Sequence, residues 1–289
     1  MNPFDLLIAP FVDFEFMRRA LGGTALLTLS ACPVGIFLML RRMSLSGDAM
    51  AHAILPGTAV GFLVSGLSLL PMSLGGLVAG VAVALAAGAV SRSTIQKEDA
   101  SLAAFYLISL ALGVLLISLE GSSIDLMHIL FGSVLALDDE ALLLIGGIGF
   151  ATIASLAIMW RALVAECLDP MFLRSVSRAG PYVHLAFLML VVMNLVGGFQ
   201  ALGTLLAVGL MVLPAASARF CTRRLDLMCA LAVGVGLVSN LLGLLASYHL
   251  SVASGPAIVL IAGAFYCLSL LFGRHGLLAQ RPKWRHRAA

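Results

Sequence analysis

The sequence predicts an all-α fold, a polytopic bundle of about nine membrane-spanning helices that forms a single domain over 1–289. Three observations carry this prediction: the composition, the length of the uncharged stretches and the placement of the basic residues. Hydrophobic residues make up 61% of the chain and charged residues 11%, against roughly 45–50% and about 25% in soluble domains. Because so few charges cannot cover a surface that faces water, most of the surface of this protein must face lipid.

The uncharged stretches give the predicted spans in order, because a helix needs about 20 apolar residues to cross the hydrocarbon core. Stretches long enough for one span are 20–40, 100–119 and 141–160, and those long enough for two are 49–91, 179–218 and 227–273. Polar, glycine and proline clusters predict the turns within the double stretches near 68–71, at 197–200 and between 247 and 256. The apolar stretch 126–137 is too short to cross and is interpreted as a re-entrant or interfacial segment.

The basic residues predict the orientation. With the loop 161–182 in the cytoplasm, every Lys and Arg except Arg18 and Arg19 falls on the cytoplasmic side, as the positive-inside rule requires. The end of the chain, 274–289, then forms a basic cytoplasmic tail. The net charge of +3 is too small to indicate a nucleic-acid partner, and membrane lipid is the surrounding medium.

Two polar residues lie at the start of the second predicted span. Asp48 and His52 are four residues apart, so on a helix they lie on one face, a turn apart. Carboxylate oxygens suit manganese and other hard ions, and imidazole suits zinc and other transition metals. Pro56 and Gly57 follow one turn later and predict a break, because proline lacks the amide hydrogen and glycine loosens the backbone. Broken helices of this kind line substrate paths in transporters.

The same pair also fits a structural interpretation. Asp48 could cap the N-terminus of the second span, and His52 could be a neutral histidine bonded to a neighbouring helix. One chain supplies only two ligands here, whereas zinc takes about four. A two-fold symmetric dimer would bring two carboxylates and two imidazoles together, and the spacing alone does not decide between these alternatives.

The longest cytoplasmic loop contains a short helical pattern at 169–180. Asp169 followed by Pro170 is typical of a helix start, and Gly180 is typical of a helix stop. A helix of this length cannot cross the membrane. It could dock into a groove on a partner protein or lie on the surface.

These segments resemble one family of transporters. Residues 41–57, with the sequence RRMSLSGDAMAHAILPG, look like the second-span signature of the zinc, manganese and iron ABC permeases, the ABC-3 family. Residues 203–216 are similar to that family's Gly…Leu-hydrophobic-Pro-Ala-Ala segment, and 169–180 looks like its coupling helix. The resemblance extends from about 16 to 272 in the same order. Met171 is a departure, because family coupling helices often carry an acidic residue there.

The resemblance implies a permease of the bacterial inner membrane that moves a divalent metal ion, zinc or manganese, as its substrate and holds no permanent cofactor. It implies two permease copies per transporter, each docked to a separate ABC ATPase, and a periplasmic metal-binding protein that delivers the ion. Asp48 and His52 match the positions that coordinate the metal. The positions that match the ATPase contact are Asp169, Pro170, Phe172, Arg174 and Gly180.

Other functions remain open or are disfavoured by the sequence. An ABC permease for a metal chelate such as an iron-siderophore remains open, and so does a gradient-driven carrier, which would not need the helix at 169–180. An intramembrane enzyme is disfavoured, because neither HExxH nor GxSxG occurs. The GxxxxGK[ST] phosphate loop is also absent, which predicts that a separate subunit hydrolyses ATP. Asp and His together do not choose among zinc, manganese and iron.

Overall fold

A computed structural model describes residues 8–66, 68–96, 98–119, 134–168 and 180–278. Within these ranges the chain is helical, with one 3-10 turn at Val134–Ala136 and no strand. The helices are α1 (Ala9–Asp13), α2 (Glu15–Leu40), α3 (Ser44–Ala53), α4 (Leu55–Ser65), α5 (Leu69–Ser93), α6 (Glu98–Leu119), α7 (Asp139–Leu168), α8 (Gly180–Leu202), α9 (Thr204–Cys221), α10 (Leu225–Leu250) and α11 (Ser254–Phe272). In the described chain, nine spans are long and apolar enough to cross a membrane, with α3 and α4 together forming one. The predicted all-α bundle of about nine spans is confirmed.

The spans form an inner and an outer group. Helices α2, α8, α9 and the broken pair α3/α4 are mostly buried, whereas α5, α6, α7 and α11 expose most of their surface and α10 is intermediate. Helix α2 lies at the centre and packs against α7, α9 and α10. Because the outer helices are apolar on the side that faces away from the bundle, they separate the inner group from lipid.

The second span is broken at Ile54, close to the predicted Pro56–Gly57 position. Pro56 is the second residue of α4 and has no amide hydrogen to donate into α3. The carbonyl of Ala53 accepts a hydrogen bond of 2.9 Å from the Ser109 hydroxyl of α6. A neighbouring helix thus satisfies a backbone group at the break, as the bilayer interior requires.

Glycines allow close approach between several helices. A Cβ at Gly57 would clash with the Gly75 backbone of α5, and a Cβ at Gly75 would clash with Gly57. Gly35 of α2 lies against the backbone of Met211 in α9 in the same way. Such contacts between small residues are typical of membrane helix packing, where van der Waals contact replaces the hydrophobic driving force.

Three predicted boundaries shift. The predicted turn at 197–200 is wrong, because α8 continues to Leu202 and the turn falls at Gly203, whose φ of 93° suits glycine. Gly197 and Gly198 serve packing instead, since a Cβ there would meet Ile148 and Ala207 at 2.9 and 2.5 Å. Helix α2 begins five residues before position 20, and α7 continues past position 160 to Leu168.

Two buried asparagines connect helices through hydrogen bonds. Asn194 of α8 donates to Thr152 of α7 at 2.9 Å, and Asn240 of α10 donates to Thr28 of α2 at 2.8 Å. At the opposite end of the bundle from the predicted cytoplasmic loops, Arg19 pairs with Asp139 at 3.2 Å. The polar residues inside these spans therefore hold helices together, which is a common use of amides in membranes.

Three predicted segments fall largely outside the described residues. Of the predicted re-entrant or interfacial segment 126–137, the described part is the 3-10 turn and Leu137. Of the predicted helix at 169–180, only Gly180 is described, and it begins α8. In the basic tail 274–289, residues 274–278 are described and form turns against the end of α11.

Candidate metal-binding groove

Helix α3 places Asp48 and His52 on one face. The helix begins at Ser44, so Asp48 is its fifth residue and Met43 occupies the capping position. The capping interpretation of Asp48 is therefore wrong. Oδ1 of Asp48 and Nε2 of His52 lie 3.9 Å apart, which is too far for a direct hydrogen bond. The two groups are close enough to hold one ion between them but do not satisfy each other.

The shared face points out of the bundle. The side chain of Asp48 is 64% exposed and that of His52 is 29% exposed, although the span that carries them belongs to the inner group. At 1.5 Å per residue, Asp48 and His52 lie about 6 and 12 Å from the start of α3. A carboxylate that faced hydrocarbon at this depth would carry a large free-energy cost. This face therefore meets water, an ion or another protein chain.

A groove of about 520 Å³ runs along this face. Helix α3 forms one wall with Asp48, His52, Ser44 and Leu45, and Val259 of α11 lies at its edge. Helix α9 forms the other wall, with Thr204, Leu205, Val208, Gly209, Val212 and Leu213. The two polar ligand candidates thus lie in a groove with mainly apolar walls.

The imidazole of His52 lies beside α6. Nδ1 is buried and has no hydrogen-bond partner among the residues that the structure describes. The ring of Tyr106 from α6 lies nearby, with 6.1 Å between ring centroids and 31° between planes. A buried polar atom without a partner costs free energy. The other ring nitrogen, Nε2, lies toward Asp48 and is the atom that could bind a ligand in the groove.

A single copy offers two candidate metal ligands. In the described part of the chain, no group of three or more His, Cys, Asp or Glu side chains could hold a metal ion. None of the five cysteines lines the groove. The site in one chain is therefore an incomplete donor set of one carboxylate and one imidazole, open on the side where a second chain could add ligands.

A charged cluster lies where α3 begins. Arg41, between α2 and α3, pairs with Glu166 of α7 and donates a hydrogen bond of 3.0 Å to Nδ1 of His184 in α8. The guanidinium also lies 4.5 Å from the centre of the Phe187 ring, close enough for a cation–π contact. The side chains of Arg41 and Glu166 are 7% and 14% exposed, so this is a buried ion pair.

This cluster joins the loop between α2 and α3 to residues that flank the 169–179 segment in the sequence. Glu166 precedes Asp169 by three residues, and His184 follows Gly180 by four. Of the predicted ATPase-contact residues, Asp169, Pro170, Phe172 and Arg174 lie outside the described residues. The structure does describe the side chains that would connect that segment to α3.

The α9 wall was not predicted as part of the site. Its sequence, 203–216, resembled a family segment without any indication of where it would pack. In the structure a Cβ at Gly47 of α3 would meet Met211 at 2.8 Å, so α3 and α9 lie in close contact. The small residue in the sequence that allows this contact is Gly47, next to Asp48.

Known proteins share both the sequence and the fold. The profile of the ABC 3 transport family matches residues 13–273. The manganese transport system membrane protein MntC of Halalkalibacterium halodurans is 32% identical over 291 residues, covering 100% of this chain and 98% of its own length. The manganese import system permease protein ScaB of Streptococcus parasanguinis is 33% identical over 267 residues, covering 91% of this chain and 94% of its own length.

A solved structure has the same fold. The PsaBC structure from Streptococcus pneumoniae, determined in complex with Fab, contains a chain that is 33% identical to this one. It superposes with a TM-score of 0.82 and covers 93% of this chain and 97% of its own length. The helix arrangement described above is therefore that of a solved relative over nearly the whole chain.

Proposed function

The chain belongs to the ABC 3 transport family, and from this premise we propose that it is the membrane-spanning permease of an importer that moves manganese across the bacterial plasma membrane. The observation that carries the proposal is the groove, where Asp48 and His52 present an oxygen and a nitrogen ligand on an exposed face of an inner, broken helix. A divalent cation there would compensate the carboxylate and be bound by Nε2 of His52. The metal is the substrate that passes this site.

The donor set does not separate manganese from iron or zinc, so the choice of manganese rests on the relatives. One carboxylate and one imidazole suit manganese, iron and zinc, whereas thiolate ligands would select copper or zinc, and no cysteine lines the groove. The relatives MntC and ScaB are named for manganese. Zinc remains the second candidate, because imidazole is a ligand that zinc favours.

Metal uptake measured ion by ion tests this function. The chain should be expressed with its ATPase and binding protein in a bacterial strain that lacks its own manganese importer. We expect uptake of radioactive manganese to be restored and to be inhibited by vanadate, which blocks ABC ATPases. Uptake of a ferric-siderophore but not of free manganese would contradict the proposal. Uptake that needs no ATPase and collapses with the proton gradient would identify a gradient-driven carrier instead.

We place a second copy of this chain across the groove. Each copy contributes one Asp48 and one His52, so a two-fold axis beside the groove would bring four ligands together, the number that zinc takes, and octahedral manganese would take further ligands. Leu45, beside Asp48 on the same face, is 81% exposed. A second copy would cover this apolar surface together with the charged residue.

Cross-linking tests the homodimer. In a variant without the five native cysteines, Leu45→Cys is expected to cross-link two copies in membranes with a short bismaleimide, because both cysteines would lie near the axis. Ile158→Cys is the matched control, since Ile158 is 85% exposed but lies on α7 away from the groove. Equal cross-linking of the two variants, or none at Leu45→Cys, would rule out this arrangement.

The buried cluster supports a route from the ATPase to the metal helix. We assign the contact with a separate ATPase subunit to the segment 169–180, with Asp169, Pro170, Phe172, Arg174 and Gly180 as the contact residues. Movement of this segment would pull on Glu166 and His184, and both are bonded to Arg41 directly before α3. ATP-driven motion would then shift the helix that carries Asp48 and His52. ATP hydrolysis itself belongs to the partner, and a periplasmic binding protein would deliver the ion.

A further inference from the structure

A second cavity lies at the predicted cytoplasmic end of the bundle. Its volume is about 630 Å³, within the range of roughly 300–1,000 Å³ that small-molecule sites occupy. The ends of α2 and α9, the start of α10 and part of α11 form its walls. It shares no lining residue with the groove of Asp48 and His52.

The mouth of this cavity is basic. Arg219, Arg223 and His275 line it, and no carboxylate does. Arg219 donates a hydrogen bond of 3.1 Å to the carbonyl of Met39 at the end of α2. Arg223 makes no ion pair within the described ranges, whereas its neighbour Arg224 pairs with Asp226 at 3.1 Å. Arg219 and Arg223 therefore place positive charge at the mouth, and neither makes an ion pair within the described ranges.

The interior of the cavity is apolar and reaches into the membrane layer. Tyr266 lies six residues before the end of α11, which is about 9 Å at 1.5 Å per residue. Its ring packs edge-on against Phe220, with 5.8 Å between centroids, and Leu40 and Ala216 extend the apolar wall. A cytoplasmic protein or a free anion would contact only the mouth, whereas a lipid could fill both parts.

The segment after α11 holds the mouth in place. The amide of His275 donates to the carbonyl of Phe220 at 2.9 Å, and the amide of Leu277 donates to the carbonyl of Leu270 at 2.8 Å. These bonds fold the chain back beside the end of α9. Backbone hydrogen bonds thus hold His275 at the cavity, and the contacts of its side chain are not the sole cause of this position.

We propose that this cavity binds the headgroup of an anionic phospholipid from the cytoplasmic leaflet. Its phosphate lies between Arg219 and Arg223, and its glycerol and first methylene groups lie against Ala216, Phe220 and Tyr266. Basic pockets between membrane helices on the cytoplasmic side recognise anionic headgroups in this way, through charge at the mouth and apolar contact below. The site is separate from the metal path and does not depend on the metal that is transported.

Native mass spectrometry of the full chain in detergent tests the lipid site. The probes are phosphatidylglycerol, phosphatidylcholine with the same acyl chains, and inorganic phosphate. Phosphatidylglycerol is expected to remain bound while phosphatidylcholine does not, because only the former carries a net negative charge. Arg223→Gln is expected to weaken phosphatidylglycerol binding by about tenfold or less, and Arg219→Gln/Arg223→Gln by about tenfold or more.

Arg224→Gln is the matched control, because it removes the same charge one residue away from the cavity. It should leave phosphatidylglycerol binding unchanged. Equal losses in Arg223→Gln and Arg224→Gln, or equal retention of the two lipids, would overturn the proposal. Competition by inorganic phosphate at millimolar concentration would indicate a site for free anions instead. Loss of ATPase co-purification in Arg223→Gln with unchanged lipid binding would assign the mouth to the protein partner.

Discussion

Replacing Asp48 with Asn, or His52 with Gln, is expected to lower metal uptake by at least about tenfold while the protein still folds. Each replacement keeps the size of the side chain and removes one of two ligands from every copy, so a dimeric site loses two of four. Folding should survive because neither residue caps a helix or hydrogen-bonds to the other in the described structure. The measurement is uptake of manganese per milligram of permease in membranes.

The stability of the same variants separates a functional from a structural role. Asp48 caps no helix and makes no hydrogen bond to His52 in the described structure, so Asp48→Asn should melt at the same temperature as the parent protein. The control is Asp226→Asn, which removes a carboxylate that pairs with Arg224 far from the groove and should leave uptake unchanged. Normal uptake in both Asp48→Asn and His52→Gln would remove this pair from the metal path. A clear drop in melting temperature would favour a structural role.

The second large effect is expected at Arg41. Arg41→Met should destabilise the protein by about 3–5 kcal/mol, because it leaves the carboxylate of Glu166 buried without its main partner. It also removes the hydrogen bond to His184 and the contact with the Phe187 ring. The measurement is thermal unfolding of the purified protein in detergent. Arg42→Met is the matched control, since Arg42 is the next residue, is exposed and makes no ion pair in the described ranges.

A double variant distinguishes stability from coupling. Arg41→Met/Glu166→Leu removes both charges, so it should regain much of the lost stability, because a buried ion pair can often be replaced by apolar residues at little cost. Uptake should stay low even though Asp48 and His52 are intact, since the connection between the 169–179 segment and α3 is gone. If uptake returns with stability, the cluster is a structural element and the proposed route from the ATPase is wrong.

Much of the fold could be predicted from the sequence because its signals are local. The length of an uncharged stretch decides whether a helix can cross lipid, and Pro56 decides where the second span must break. The i, i+4 spacing places Asp48 and His52 on one face whatever surrounds them. The predicted turn at 197–200 is wrong because a Gly–Gly pair favours a turn and close helix packing equally.

The sequence by itself determined the number of spans, the break in the second span and the pairing of one carboxylate with one imidazole, since each follows from composition or from helix periodicity. Only the tertiary structure decided that this face points outward, that α9 forms the opposite wall of the groove, and that Arg41 meets Glu166 and His184. Helices that are apolar on nearly every side carry no periodic signal for which face packs inward. Arg41 contacts Glu166 and His184, which lie 125 and 143 positions later in the chain. Such contacts form only once the helices have packed.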